Sequence, residues 1–289
     1  MQFRTSGALA KVDLSPVLAL IPPLWTEWAN LKFDRTGGLV NPLTGTVLEM
    51  PTLVEGQHRR PGACYRFTVV TQGEEFPAGQ PPGTAPPQVV IRSHTVEATL
   101  RADTAQALTF ALRDPSGTWT GDLTIRRTRL PIIEFSGSTP VEAHLEQDIP
   151  AWIVRVFGKT LAGGFRADLG AVEQDLQAVT GTLTMGRSSA SLTVDVHPQL
   201  EQWSVDTRAT LQGRGLARLP LWLFRARIRA AVDQALATFW SQTATRMRDL
   251  DVALVELTAD IDAAGGPAPF LHRALWDSDF TPMSGPLKR

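Results

Sequence analysis

The feature that most constrains the fold is a long apolar stripe at helical spacing in the last third of the chain. Its members recur mostly every three or four residues, with a polar gap after Trp240: Leu221, Phe224, Ile228, Val232, Leu236, Phe239, Trp240, Met247, Leu250 and Leu254. This spacing predicts one amphipathic helix over residues 219–257, roughly 45–55 Å long. Such a helix needs a large apolar surface to pack on, and we expect its Ile228, Val232, Leu236 and Phe239 side to be buried.

Three strand-like segments precede this helix, at residues 179–185, 190–196 and 203–211. The second alternates cleanly, because Leu192, Val194 and Val196 fall on one side and Thr193 and Asp195 on the other. Short polar turns separate the three segments. The pattern predicts an antiparallel sheet with one apolar face, which is the surface that the long helix needs.

The first 130 residues also read as mostly strand. We predict a strand over residues 1–12 and a helix that begins near Ser15-Pro16 and is broken or kinked by Pro22-Pro23. Further strands are predicted over residues 46–50, 64–71, 88–100, 107–113 and 118–129. Residues 77–87 are rich in proline and glycine, so we expect a loop that can be shortened at little cost in stability.

The middle of the chain is less clear. A strand is predicted over residues 134–145, followed by a helix from Asp148 that Gly163-Gly164 ends and a short helix over residues 167–178. We therefore divide the chain into a β-rich region 1–130, a region 131–262 that ends in the long helix, and a tail 263–289. A short helix over residues 270–276 is expected to dock on the body. The predicted fold class is α+β.

Composition excludes several classes of function. The net charge is −1, so no general attraction to nucleic acid is expected. No apolar stretch approaches the roughly 20 residues of a membrane span. The one cysteine, Cys64, lies within an apolar strand and is expected to be a buried thiol. These features are typical of a cytoplasmic protein that lacks disulfides.

Few residues suggest chemistry. No two histidines have metal-ligand spacing, so no metal and no cofactor are expected. His144 lies between Glu142 and Glu146 and is the best candidate for a general base, although a solvated polar face explains the same pattern. Arg126, Arg127 and Arg129 form a basic cluster that suits either a phosphate or a solvated strand edge.

The order of elements from Ile132 to Asp260 resembles the helix-grip layout of the START and polyketide-cyclase superfamily. The resemblance rests on the strand 134–145, the helices within 148–178, the strands from 179 to 211 and the long final helix, and it covers a little under half of the chain. In that superfamily a curved antiparallel sheet wraps the C-terminal helix and encloses an apolar cavity. The resemblance implies binding of an apolar or lipid-like molecule, and it transfers no catalytic residue.

Three hypotheses for function follow from these observations. The leading one is non-enzymatic binding of an apolar small molecule between the sheet and the long helix. The side chains expected to line the site are Ile228, Ala231, Val232, Ala235, Trp152, Trp222, Leu192 and Val194. The second is a protein-interaction module whose tail engages a partner through Phe270, Leu271, Leu275 and Trp276. The third is a cavity-based acid/base enzyme.

Overall fold

A computed structural model describes residues 1–75, 88–140, 159–172, 177–215, 223 and 225–277. Within these ranges the strands are β1 (Gln2–Ala10), β2 (Gly38–Val40), β3 (Val47–Glu55), β4 (Cys64–Glu75), β5 (Gln88–Asp103), β6 (Ala107–Arg113), β7 (Thr120–Arg126), β8 (Ile132–Pro140), β9 (Thr160–Asp168), β10 (Gln177–Met185), β11 (Ser188–Pro198) and β12 (Gln202–Gly213). The helices are α1 (Ser15–Asn30), α2 (Arg225–Ala263) and α3 (Pro267–Trp276), with a short 3-10 turn at Leu169–Val172.

These strands form one antiparallel sheet in which β2 to β12 lie side by side in chain order. The exception is β1, which crosses to the far edge and pairs with β12, so that Phe3 lies opposite Ala209. The strands before and after residue 130 belong to the same sheet, because β7 pairs directly with β8. The chain is therefore an α+β protein with a large antiparallel sheet and a long C-terminal helix, a layout compatible with the helix grip.

The sheet has one apolar and one polar face, as strand alternation requires. One cross-strand row of the apolar face reads, in spatial order, Phe3, Ala209, Leu192, Gly181, Phe165, Phe135, Leu123, Phe110 and Leu100. We call this the central row. The opposite face carries Arg4, Arg208, Thr193, Thr180, Arg166, Glu134 and Thr124 at neighbouring positions.

Two helices cover different parts of the apolar face. Helix α1 packs Trp25 and Trp28 on a buried group that we call the α1 cluster: Ala63, Tyr65, Ala98, Leu100, Leu108 and Phe110. Helix α2 packs Trp240, Ala244 and Met247 on a second group, the α2 cluster: Leu9, Ala171, Ala178, Val196 and Val205. The sheet therefore has two separate hydrophobic cores on the same face.

The terminal helix α3 docks on α1, as expected for a short helix in the tail. Phe270 and Trp276 are each only 6% exposed. The Trp276 indole donates to Glu27 on α1 over 2.8 Å, and the Asn41 side chain donates to the Trp276 carbonyl over 2.8 Å. The two largest apolar side chains of α3 are thus buried within the chain itself, whereas Leu275 is 46% exposed.

The long helix is confirmed as unbroken over the 39 residues of α2, but its buried side differs from the predicted one. Ile228, Val232 and Leu236 are half-buried and Phe239 is 50% exposed. The side chain that faces the sheet after Leu236 is Trp240. The residues on this side of the helix, Ile228, Val232, Leu236 and Trp240, are each four positions apart, whereas Phe239 is three positions after Leu236 and points away from the sheet.

Two predictions about local structure are wrong. Pro22-Pro23 does not break α1, which runs from Ser15 to Asn30 with Pro22 exposed to solvent. Residues 160–168 form strand β9, although Gly163-Gly164 suggested the end of a helix. Within the expected helix 167–178, the described residues form the end of β9, the 3-10 turn and the start of β10. A Cβ atom at Gly164 would lie 2.6 Å from the carbonyl oxygen of Phe135, so these glycines permit close strand approach.

Other predictions fall outside the described residues. These are the Pro-rich segment 77–87, the helix from Asp148, and His144 with Glu142 and Glu146. The prediction that Cys64 is buried is confirmed, since it is 5% exposed. Among the described helices, none carries an apolar stretch long enough to cross a membrane.

Candidate ligand site between the long helix and the sheet

A cavity of about 340 Å³ lies between α2 and the apolar face, at the end of the sheet where β1 begins. Val232 contributes from the helix, and strands β1 and β9 to β12 supply the rest of the lining. Among the side chains that face it are Phe3, Leu183, Leu192 and Leu211. The volume falls within the range of small-molecule pockets, and the walls are mostly apolar.

The cavity has a cause in the sequence, which is the alternation of large and small residues across the strands. In the central row Gly181 and Ala209 stand on either side of Leu192. In the adjacent row Ala190 stands between Leu183 and Leu211. Small residues between large ones leave depressions in the sheet surface. Val232 on the helix is too short to fill them, so a gap remains.

The cavity continues into an apolar surface that the described helices do not cover. Leu183 is 47% exposed and Phe165, its neighbour on β9, is 46% exposed. The Phe165 ring contacts the Phe135 ring at a centroid distance of 5.8 Å. Exposed adjoining apolar side chains beside a cavity are typical of ligand or partner sites.

The predicted site residues have different positions in the structure. Val232 and Leu192 line the cavity. Val194 packs on the α2 cluster further along the sheet, Ile228 is half-buried, and Ala231 is exposed. Trp152, Trp222 and the side chain of Ala235 lie outside what the structure describes.

Sequence reasoning missed the contribution of β1 and of the small residues. Phe3 is 5% exposed and enters the site because β1 pairs with β12, a contact between residues some two hundred positions apart. Nothing local in the sequence indicates that pairing. Ala190, Ala209 and Gly181 could have been noticed as small residues at inward positions of alternating strands, which is the available signal.

The best-connected polar cluster of the described residues lies elsewhere, beneath α1. Here the Tyr65 hydroxyl donates to His58 Nδ1 over 2.8 Å, and His58 Nε2 donates to the Trp28 carbonyl over 2.9 Å. The carbonyl can only accept, so Nε2 carries a proton, and in the neutral imidazole Nδ1 is then the acceptor for the Tyr65 hydroxyl. Burial lowers the pKa of His58, and the Arg59 charge adds to this, while the Trp28 bond and Asp103 act in the opposite sense.

Asp103 completes this cluster with its side chain 2% exposed. Burial alone would raise its pKa, but hydrogen bonds from Arg59 and Trp28 and the charges of Arg127 and Arg59 lower it below the ordinary value. Arg59 lies 2.8 Å from one carboxylate oxygen and Arg127 lies 2.8 Å from the other. With its ring nitrogens and carboxylate oxygens engaged by neighbouring groups, this cluster is built for stability rather than for catalysis.

The polar face carries a groove of about 720 Å³ lined by small residues such as Thr99, Thr120 and Ser136. Its charged side chains are engaged with one another, since Arg101 lies 2.9 Å from Asp122 and Arg113 lies 2.7 Å from Glu97. In the described part of the chain no group of three or more acidic, histidine or cysteine side chains is arranged to hold a metal ion. The geometry therefore favours the apolar cavity as the functional site.

Comparison with models of known families, with curated proteins and with solved structures gives no significant match to this chain.

Proposed function

We propose that this protein binds an apolar or lipid-like small molecule between α2 and the sheet, without catalysing a reaction on it. The observation that carries the proposal is the apolar cavity of about 340 Å³ between Val232 and the sheet. Binding of an apolar molecule in a cavity with apolar walls is favourable, because it removes apolar surface from water. The helix-grip resemblance, in which the same place holds apolar ligands, supports the proposal.

The loose packing of helix α2, which covers this site, is also consistent with a binding protein. Ile228, Val232 and Leu236 are only half-buried, and Phe239 is 50% exposed. A helix that buries little apolar area is held less tightly than one in a full core, so it can move aside when a ligand enters. The adjoining exposed Leu183 and Phe165 extend the apolar surface beyond the cavity.

The proposal is tested with Nile red, an uncharged dye whose emission reports an apolar environment. The dye is expected to bind the folded chain saturably, and Val232→Trp is expected to abolish this binding because the indole fills the cavity. The matched control is Val255→Trp, since Val255 lies on the same helix and is 67% exposed. It should leave dye binding unchanged.

Thermal unfolding of each variant shows whether the replacement has disturbed the fold. If the dye does not saturate, or if Val232→Trp binds it as well as Val255→Trp does, the ligand hypothesis is wrong. The protein-interaction module would then be the better hypothesis. In that case Leu275 on α3, rather than the buried Phe270 and Trp276, is the side chain to test.

A further inference from the structure

A second cavity, separate from the proposed site, lies at the other end of β1. It has a volume of about 970 Å³ and is enclosed by the first half of α1 and by the strand ends beneath it. We call it the α1 cleft. Phe3 lines the first cavity and Lys11 lines the cleft, eight residues further along, which places them about 25 Å apart. The α2 cluster, with Leu9 and Val205, lies between them.

Most of the cleft wall is apolar. Leu14 and Leu18 face it from α1, Leu130 and Leu169 from the connections that flank β8 and β9, and Trp203 from β12. Leu200 stands at its border and is 96% exposed. A large cavity with apolar walls and a fully exposed leucine beside it is a surface suited to an apolar molecule.

One cation of the cleft has no acidic partner among the residues that the structure describes. Of the three arginines at and after the end of β7, Arg126 pairs with Glu134 and Arg127 with Asp103, at 3.0 and 2.8 Å. Arg129 also lines the cleft, and it lies within ion-pair distance of no carboxylate in the described part of the chain. An arginine beside apolar walls can form a charge-assisted bond with a carboxylate or phosphate group.

The remaining charges of the cleft lie on its other side. Lys11 lies opposite Glu201, because its backbone N–H donates to the Glu201 carbonyl oxygen over 3.4 Å. The two Asp13 carboxylate oxygens accept from the backbone and hydroxyl of Ser15 at 2.9 and 2.8 Å. Three strands, β9 to β11, separate β12 from β8, which Arg129 precedes, so the Glu201 side is about 19 Å from the Arg129 side. Arg129 is therefore the cation of the cleft that stands apart from its acidic residues.

We propose that the α1 cleft binds an amphipathic organic anion, with its apolar body against Leu18, Leu130 and Trp203 and its acidic head group at Arg129. This inference does not depend on the proposed function, because the two cavities share no lining residue. The chemistry that is recognised is a single acidic group at the end of an apolar chain. Fatty carboxylates and alkyl phosphates both fit that description.

The experiment compares dodecanoate with dodecanol, which have the same chain and differ in charge. Binding is measured calorimetrically in the Val232→Trp variant, so that the first cavity is filled. Arg129→Gln is expected to weaken dodecanoate binding about tenfold, as the loss of one charge-assisted bond should, and to leave dodecanol binding unchanged. Arg4→Gln, which removes an exposed arginine from the polar face, is the matched control.

A second variant tests the position of the site. Ala19 is exposed on α1 and lines the cleft, so Ala19→Trp should abolish the binding of both compounds without disturbing the core. Ala237→Trp places the same indole at an exposed position of α2 and should have no effect. Dodecanoate binding that survives Ala19→Trp, or that Arg129→Gln and Arg4→Gln change equally, overturns the inference. The Nile red result for the first cavity is unaffected by either outcome.

Discussion

The two ends of the central row show how one sheet face can be used in two ways. At the α1 end Leu100 is fully buried and Phe110 is 9% exposed, under the indoles of Trp25 and Trp28. Further along the same row Phe165 is 46% exposed, and beside Leu192 the cavity opens beneath Val232. The strand pairing is continuous from one end to the other. The difference therefore comes from the side chains of the row and from the helix above them, and not from a break in the strand pairing.

The buried polar atoms of the region under α1 are also better paired than those of the region under α2. Under α1, the Trp28 indole donates to Asp103 over 3.1 Å and the Tyr65 hydroxyl both donates to His58 and accepts from Arg59. Under α2, the Trp240 indole nitrogen and the Thr207 hydroxyl are buried without a hydrogen-bond partner in the described part of the chain. The buried atoms without a hydrogen bond under α1 are Asp103 Oδ1 and Arg127 Nε, and these two groups face each other in an ion pair of 2.8 Å. Unsatisfied buried groups cost stability. The α1 region is thus built as a core, and the α2 region is held more loosely above a cavity.

The largest expected effect compares two leucines. Leu100→Ala removes a fully buried side chain from the α1 cluster and should lower the free energy of unfolding by about 3–5 kcal/mol. Leu236→Ala truncates a half-buried side chain on α2 and should lower it by about 1 kcal/mol. Urea denaturation of both variants measures the difference. Equal losses would show that α2 is packed as tightly as α1, and the comparison would fail.

The next effect concerns the ion pairs. Asp103→Asn removes the charge that Arg59 and Arg127 share at a site where the Asp103 side chain is 2% exposed. Breaking a buried pair in this way should cost about 3 kcal/mol. Asp122→Asn breaks the Arg101–Asp122 pair on the polar face, whose side chains are 58% and 46% exposed, and should cost less than about 1 kcal/mol.

Both aspartates belong to the same sheet and both substitutions remove one negative charge. A difference between the two variants therefore reports the effect of burial on the ion pair. The measurement is again the free energy of unfolding in urea. A small loss for Asp103→Asn would mean that the polar cluster under α1 contributes little, and that the stability of this region comes from its apolar side chains alone.

The strands and helices were largely predictable, and the exceptions share a physical cause. Strand β6 has the predicted bounds, 107–113, because alternation and a good turn at Asp114-Pro115 define it locally. Strand β9 was missed, since Gly163 and Gly164 break local patterns yet fit between close neighbours: a Cβ atom at Gly163 would lie 2.8 Å from the Thr182 carbonyl oxygen. Strand pairing decides such segments, and local propensity does not show it.

The candidate site was predictable to a similar extent. Val232 and Leu192 follow from helical and strand periodicity, and both line the cavity. Phe3 and Ala209 could not be predicted, because they meet only through the pairing of the first strand with the last. The periodicity of α2 predicted Phe239 on the buried side, but Phe239 is 50% exposed. Packing against Val196 and Val205 decides for Trp240.

The smallest expected effect is a pH dependence confined to the α1 region. The pKa of His58 is lowered in the fold, chiefly by burial, which favours the neutral imidazole. In the unfolded chain its pKa returns to about 6.5. As the pH falls through 6.5, His58 becomes protonated in the unfolded state but not yet in the folded state. Protonation therefore stabilises the unfolded state alone, and the free energy of unfolding falls. The loss ends once the pH passes below the lowered pKa of the folded state.

His58→Gln should remove this dependence between pH 8 and pH 5, although the variant is less stable at every pH. Tyr65→Phe is the control: it deletes the hydroxyl that donates to Nδ1 but keeps the buried imidazole, so stability falls while the pH dependence remains. Asp103 and Glu97 have lowered pKa values and lose their contribution only below about pH 4, outside this window. If urea denaturation gave the same pH profile for His58→Gln as for the unmodified chain, the dependence would have to arise elsewhere. The network under α1 would then not be the feature that distinguishes the two regions.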